Sequence, residues 1–219
     1  MSDLLLAVGI FLAAHMIPAI RPVRAGLVRG MGEAAYLVGY SVVSLAVIVW
    51  MVRAYSAAPH VELWPAMEWA RWLAVGVMAP ACVLIVAGMA SPNPFSLGWG
   101  RKGFEAVRPG IVGVSRHPAI WGLGLWAGAH VLVNGDQASV ILFGLLGVLS
   151  LAGPLSLDAK RRRVLGVEAF GQLKADVAHT GTFTALAQAG PWRIGGGLAL
   201  WAGLLSIHEW AFGVAPVVW

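Results

Sequence analysis

Six apolar stretches, each close to the ~20 residues that cross a hydrocarbon layer of ~30 Å, narrow what this chain can become more than any other feature. They run Leu4 to Ile20, Ala34 to Val52, Trp72 to Ala90, Pro118 to Val133, Ala138 to Leu157 and Trp192 to Gly213. Inside lipid every backbone N–H and C=O must be paired, which leaves helices and closed barrels, and runs this long without alternation are not barrel strands. The expected fold is all-α: a polytopic membrane helix bundle of six transmembrane helices, one domain over residues 1–219. Composition agrees, since 59% apolar against 11% charged residues excludes an ordinary soluble globule.

Charge sets the expected orientation. If the N-terminus faces outward, all of the 15 lysines and arginines except Arg53 and Arg71 fall on inner connections. Positive residues collect on the inner side of membrane proteins, so both termini of a multi-pass membrane protein are expected outside. The net charge of +5 is spread over short loops rather than along a stripe, which argues against a nucleic acid partner and for membrane lipids. Asp3 stands where a signal peptide has its basic n-region, so the first segment is expected to stay as a span. The lone Cys82 rules out an internal disulfide and reads as a small buried hydrophobe.

Between the spans, Arg21 to Glu33 reads as a basic, glycine-broken connection. Arg53 to Arg71 carries Trp64 and Trp69, with Trp72 beyond, as an interfacial aromatic anchor. Ser91 to Arg116, with its SPNP, is expected to be irregular, and Asn134 to Gln137 to be a tight turn. The stretch VLGVEAFGQLKADV after the KRRR cluster reads as an interfacial amphipathic helix.

Ionisable groups within membrane-length segments are functional candidates by default. The richest segment is Ser115 to Asp136, with Arg116, His117 and His130. On one helix His117 and His130 lie roughly 220° apart in rotation and ~20 Å apart along the axis, so they cannot share a metal ion. His130 shares a face with Leu123, Trp126, Ala127 and Asn134. The other face carries Gly124 and Gly128, whose spacing favours close helix packing. His15 is the natural partner for His130: counted at ~1.5 Å per residue, His15 lies ~16 Å below the outer boundary and His130 ~10 to 12 Å. His208 comes out shallower and is a third candidate. Two imidazoles on different spans, flanked by small residues, would leave room for a flat macrocycle, and histidine is an axial ligand of haem iron. The competing reading of each is a helix-to-helix hydrogen bond.

At the inner boundary, Arg116-His117-Pro118 begins a helix and adds to the positive-inside bias. A helix N-terminus beside an arginine also suits a phosphate or carboxylate head group. Asp158, on the same side, is placed to pair with Arg116. His60 and His179 fall in loops.

The string SRHPAIWGLGLWAGAHVLVNGDQASVILFG resembles the NnrU family, with GEAAY, YSVVSL, AYSAAP and DAKRRR in the expected order around it, so that the likeness extends over nearly the whole chain. That resemblance implies an association with nitrite and nitric oxide reduction in denitrifying bacteria. It also brings similarity to the plant and cyanobacterial 15-cis-zeta-carotene isomerases, integral membrane proteins that hold haem b. By that similarity His15 and His130 match the proposed haem ligands, with Arg116 and His117 orienting a haem propionate or a lipidic substrate. The isomerases carry a cysteine where this chain has Ala127, so a haem does not here imply ligand-switching isomerisation. An oxidoreductase acting on a small gaseous substrate is the other enzyme class the resemblance implies. The RHP turn with Phe170-Gly171 and Lys174 is also similar to isoprenylcysteine-type membrane methyltransferases that use S-adenosylmethionine, although Ile120 and the single Glu168 depart from their pattern. A cofactor-free accessory protein is the third class.

Overall fold

The computed structural model describes residues 1–98 and 100–216. Among the described residues ten helices follow one another and none forms a strand. Each expected apolar segment coincides with a long helix: α1 (Ser2–Met16), α3 (Glu33–Ser56), α4 (Glu68–Met89), α6 (Pro118–Asn134), α7 (Gln137–Leu165) and α10 (Pro191–Phe212). Three of them, α3, α4 and α7, are long and apolar enough to cross a membrane on those grounds alone. A fourth span is reached if α1 is counted together with α2 (Arg21–Met31), which follows it at a bend of 78°. The described residues are thus all-helical apart from their connections, with three to four helices able to cross a membrane by length and composition.

Burial is inverted relative to a soluble protein. Along α3, Val38, Val42, Leu45, Val49 and Val52 form an outward stripe, each at least half exposed. Their spacing of four and three is that of one helix face. In water such a stripe would be costly; in hydrocarbon it is the expected outer surface.

Two compact units make up the chain, one of residues 1–64 with 135–142, the other of residues 65–134 with 143–219. In the first, α1 and α2 pack on α3. Leu4, Ala7 and Phe11 are buried at i, i+3 and i+7 on α1, and Val47, Met51 and Ala54 at the same kind of spacing on α3. Trp50 donates its indole N–H to Asp3 at 3.2 Å. The turn between α6 and α7 closes around Gly135 (φ +65°). Its carbonyl accepts from the backbone N–H of Leu63 at 2.7 Å and Trp64 at 3.1 Å, and the Trp64 carbonyl occupies the space where a Cβ would stand. Only glycine satisfies both demands. Asp136 then caps α7, accepting from the Ser139 N–H at 3.0 Å.

In the second unit α4 is the central rod, with α6 on one side and α10 on the other. Glycines allow the close approach. A Cβ on Gly122 would lie 2.7 Å from the Ala81 carbonyl and from Ile85 Cγ1, and one on Gly88 would lie 2.7 Å from the Ala119 nitrogen. Gly197 of α10 meets the Val83 backbone in the same way. Small residues at such crossings are what lets helices associate where the hydrophobic effect gives no drive. Beyond the ends of α4 and α6, the short helices α5 (Ile111–Val114), α8 (Val167–Ala178) and α9 (Thr182–Gln188) close over a separate apolar cluster of Phe95, Ile111, Val112, Phe170 and Val177.

Three expectations need correction. The stretch from Arg21 to Glu33, read as a connection broken by its glycines, is helical over Arg21–Met31. The first apolar helix stops at Met16 rather than Ile20, just ahead of Pro18, which lacks the N–H that the next turn would need. The Gly124/Gly128 spacing holds at one position only: a Cβ on Gly124 would lie 3.1 Å from the Ser150 Cβ of α7, whereas Gly128 has open space around its Cβ position, and the tightest approach of α6 is at Gly122 against α4. Gly122→Ala is therefore expected to destabilise by about 1–3 kcal/mol through overpacking, whereas Gly128→Ala should leave thermal unfolding in detergent unchanged. Equal effects of the two would contradict this packing.

Candidate functional site

The sequence candidates fall into three surroundings. His15 is on α1 in the first unit. Its Nδ1 lies 2.8 Å from the Phe11 carbonyl one turn back. The ring stacks on Phe11 at 4.2 Å and meets the edge of Tyr40 at 5.8 Å. An Nδ1–H held by a carbonyl fixes the tautomer and leaves the Nε2 lone pair facing away. Among the described residues no hydrogen-bond partner stands at that Nε2.

His130 repeats the arrangement in the second unit. Nδ1 lies 2.8 Å from the Trp126 carbonyl, and Nε2 has no partner among the described residues. The expected face neighbour Trp126 is there, with ring centroids 5.2 Å apart, and Phe143 of α7 closes the other side at 4.9 Å. His208 of α10 is 6.5 Å from His130, centroid to centroid, with its own Nδ1 at 2.8 Å from the Val214 carbonyl. Sequence reasoning ranked His208 by depth alone; its approach to His130 depends on how α10 lies on α4 and cannot be read from spacing. Among the described residues no three or more histidines, cysteines, aspartates or glutamates gather to hold a metal ion. A haem asks less of the protein, since the porphyrin supplies the equatorial nitrogens and the chain only axial imidazoles.

The third surrounding is the start of α6. Arg116 donates from Nη2 to Asp158 Oδ2 at 2.9 Å, the expected ion pair, and His117 Nε2 lies 2.9 Å from Asp158 Oδ1. One carboxylate thus holds both members of the RHP turn. His117 is 2% exposed, and its Nδ1 is buried with no partner among the described residues. Arg116 sits over the Phe95 ring, its Cζ 5.9 Å from the centroid. Asn93 was missed by sequence reasoning. Its Oδ1 accepts from the Phe95 and Ser96 N–H groups, which shapes the SPNP loop, and its Nδ2 donates to the Arg116 carbonyl at 3.0 Å. The signal available was an asparagine between two prolines, a residue that folds its own backbone into a turn. Phe170, read as part of a methyltransferase-like pattern, lies in the apolar cluster against Phe95 at 5.9 Å, while Glu168 and Lys174 are exposed. Cys82 is buried, as a small hydrophobe.

Burial pushes the His117 imidazole below the ordinary 6.5, with the Asp158 contact opposing and Arg116 reinforcing the fall. A group whose folded value is depressed binds fewer protons folded than unfolded near and below 6.5. Its contribution is intact above that pH and is lost as pH falls. Thermal stability in detergent is expected to drop as pH goes from 7 towards 5, with a smaller drop in His117→Gln; an unchanged slope in the variant would contradict the assignment.

No curated protein and no solved structure matches the chain. The family model described as NnrU protein matches residues 3–216, nearly the whole length, and the chain belongs to the NnrU family.

Proposed function

We propose that this protein is a six-span, haem b-binding member of its family in the bacterial inner membrane, with both termini outside and His15 and His130 as axial ligands. The observation that carries the reading is the matched preparation of the two imidazoles. Each donates Nδ1–H to the carbonyl four residues earlier, at 2.8 Å in both cases, and each keeps Nε2 free, which is how metal-ligating histidines are held by their outer shell. If haem b is bound, His15 and His130 would hold it, and the chemistry it would supply is electron transfer or the binding or reduction of a small molecule such as nitric oxide. Arg116, with 31% of its side chain exposed, is the group left to meet a haem propionate or a lipid head from the inner side, and His117 steadies the carboxylate that holds it. The link to nitrite and nitric oxide reduction comes with the family.

One observation favours a second reading of the ligand pair. His130 and His208, both in the second unit, stand 6.5 Å apart from ring centroid to ring centroid. In that reading His208 replaces His15 on the iron.

Haem content tests both. Protein purified in detergent from haem-replete cells should give the pyridine haemochrome of haem b at one per chain. A colourless preparation that binds S-adenosylmethionine would replace the haem reading by a methyltransferase, and one that binds neither would leave an accessory role. The topology is tested separately: reporters fused to either end should report the outer compartment.

A further inference from the structure

The arginine-bearing helix α2 has no use in the haem reading and none of its residues is buried. It follows α1 at 78°. Continuing α1 as a bent span would carry Arg21, Arg24 and Arg29 into hydrocarbon within one short helix, which the cost of intramembrane charge opposes. With the apolar α1 set upright in the bilayer, a bend of this size lays α2 almost flat at the boundary.

Its residues sort accordingly. At 100° per residue, Val23, Leu27 and Met31 make one apolar side, and Arg21 and Arg29 lie roughly 120° and 160° around from Leu27. Leu27 and Met31 are 36% and 51% exposed, although water should be least welcome there. Arg24 is committed elsewhere: it pairs with Glu33 at 3.2 Å and lies over the Tyr36 ring at 5.5 Å, tying α2 to α3. Among the described residues no carboxylate pairs with Arg21 or Arg29. From Arg21 to Gly32 there is no acidic residue.

We propose that α2 is a docking surface for anionic phospholipid, with Val23, Leu27 and Met31 at the acyl boundary and Arg21 and Arg29 on the phosphates. An amphipathic, basic, weakly apolar helix is the form that binds in the plane of a charged interface, and juxtamembrane arginines draw anionic lipid to it. Charge complementarity decides the occupant: the phosphates of a zwitterionic bilayer are already balanced by their own cationic head groups, whereas an anionic lipid brings the net negative charge that two guanidinium groups attract.

The test uses the full chain with Cys82→Ala, carrying an environment-sensitive fluorophore on Leu27→Cys or Arg29→Cys. It is reconstituted in vesicles of phosphatidylcholine alone or in equal parts with phosphatidylglycerol. The Leu27 label should be quenched by lipid-borne nitroxide near the head group and shielded from iodide, while the Arg29 label stays open to iodide. Energy transfer from the Leu27 label to fluorescent lipids should show several-fold enrichment of phosphatidylglycerol over phosphatidylcholine, falling to parity in Arg21→Gln/Arg29→Gln. Equal iodide access at the two positions would overturn the proposal by placing α2 in water. Deep quenching at both would overturn it in favour of a broken span, and parity of the two lipids with the arginines intact would remove the anionic preference. Both positions are on an exposed helix, so the substitutions spare the core, and the outcome does not depend on whether haem is bound.

Discussion

Replacing His130 by alanine is expected to abolish haem binding, with the Soret band of the purified protein lost rather than weakened. His130 is common to both ligand pairs; because its ring also packs against Trp126 and Phe143, His130→Phe, which keeps a ring there and removes the nitrogen, is expected to lose the colour as well. That variant should be recovered from the membrane as a folded, colourless chain. The second histidine is then identified by difference. His15→Ala should produce the same loss if His15 is the partner, and His208→Ala should leave the spectrum intact; the reverse pattern would assign iron to the pair seen 6.5 Å apart. His60→Ala serves as the control, since His60 is an exposed loop residue. Retention of full absorbance by His130→Ala would contradict the assignment of either pair.

Asp158→Ala carries the largest expected effect on stability. The carboxylate serves Arg116 and His117 at 2.9 Å each, and its removal leaves a half-buried guanidinium and a buried imidazole N–H with nothing to accept from them. Breaking a buried pair by deleting one partner costs about 3–5 kcal/mol. The lower end is expected here because the Arg116 and Asp158 side chains keep 31% and 26% of their exposure. His117→Gln, which removes one hydrogen bond of the network, should cost about 1–2 kcal/mol. Thermal unfolding in a single detergent orders the variants. A wild-type melting curve for Asp158→Ala would mean that the two contacts do not contribute to holding the fold.

What the sequence could and could not reveal follows from the physics of each element. A membrane-length apolar run has one stable backbone solution, so the six long helices were readable at once, and the Arg116–Asp158 pair followed from both residues lying on one side of the spans. The NGD turn was equally readable, because Gly135 at φ +65° meets a need that only glycine fills cheaply. Helix α2 was not, because Gly26, Gly30 and three arginines in 11 residues have the composition of a loop. The informative signal was the four-residue spacing of Val23, Leu27 and Met31. A spacing rule named Gly124, which does meet Ser150, together with Gly128, which meets nothing, and passed over Gly122, because contact depends on which face another helix covers. Asn93 shows the same limit: its turn-forming chemistry is local, but its bond to the Arg116 carbonyl exists only once the loop has folded back onto α6.

The absorption spectrum of wild-type protein purified in detergent, recorded before and after dithionite, tests the central claim most directly. The account predicts an intense Soret band that shifts on reduction, with the sharp visible bands of a low-spin haem held by two imidazoles. A preparation from haem-replete cells with no absorption beyond that of its tryptophans and tyrosines would contradict it.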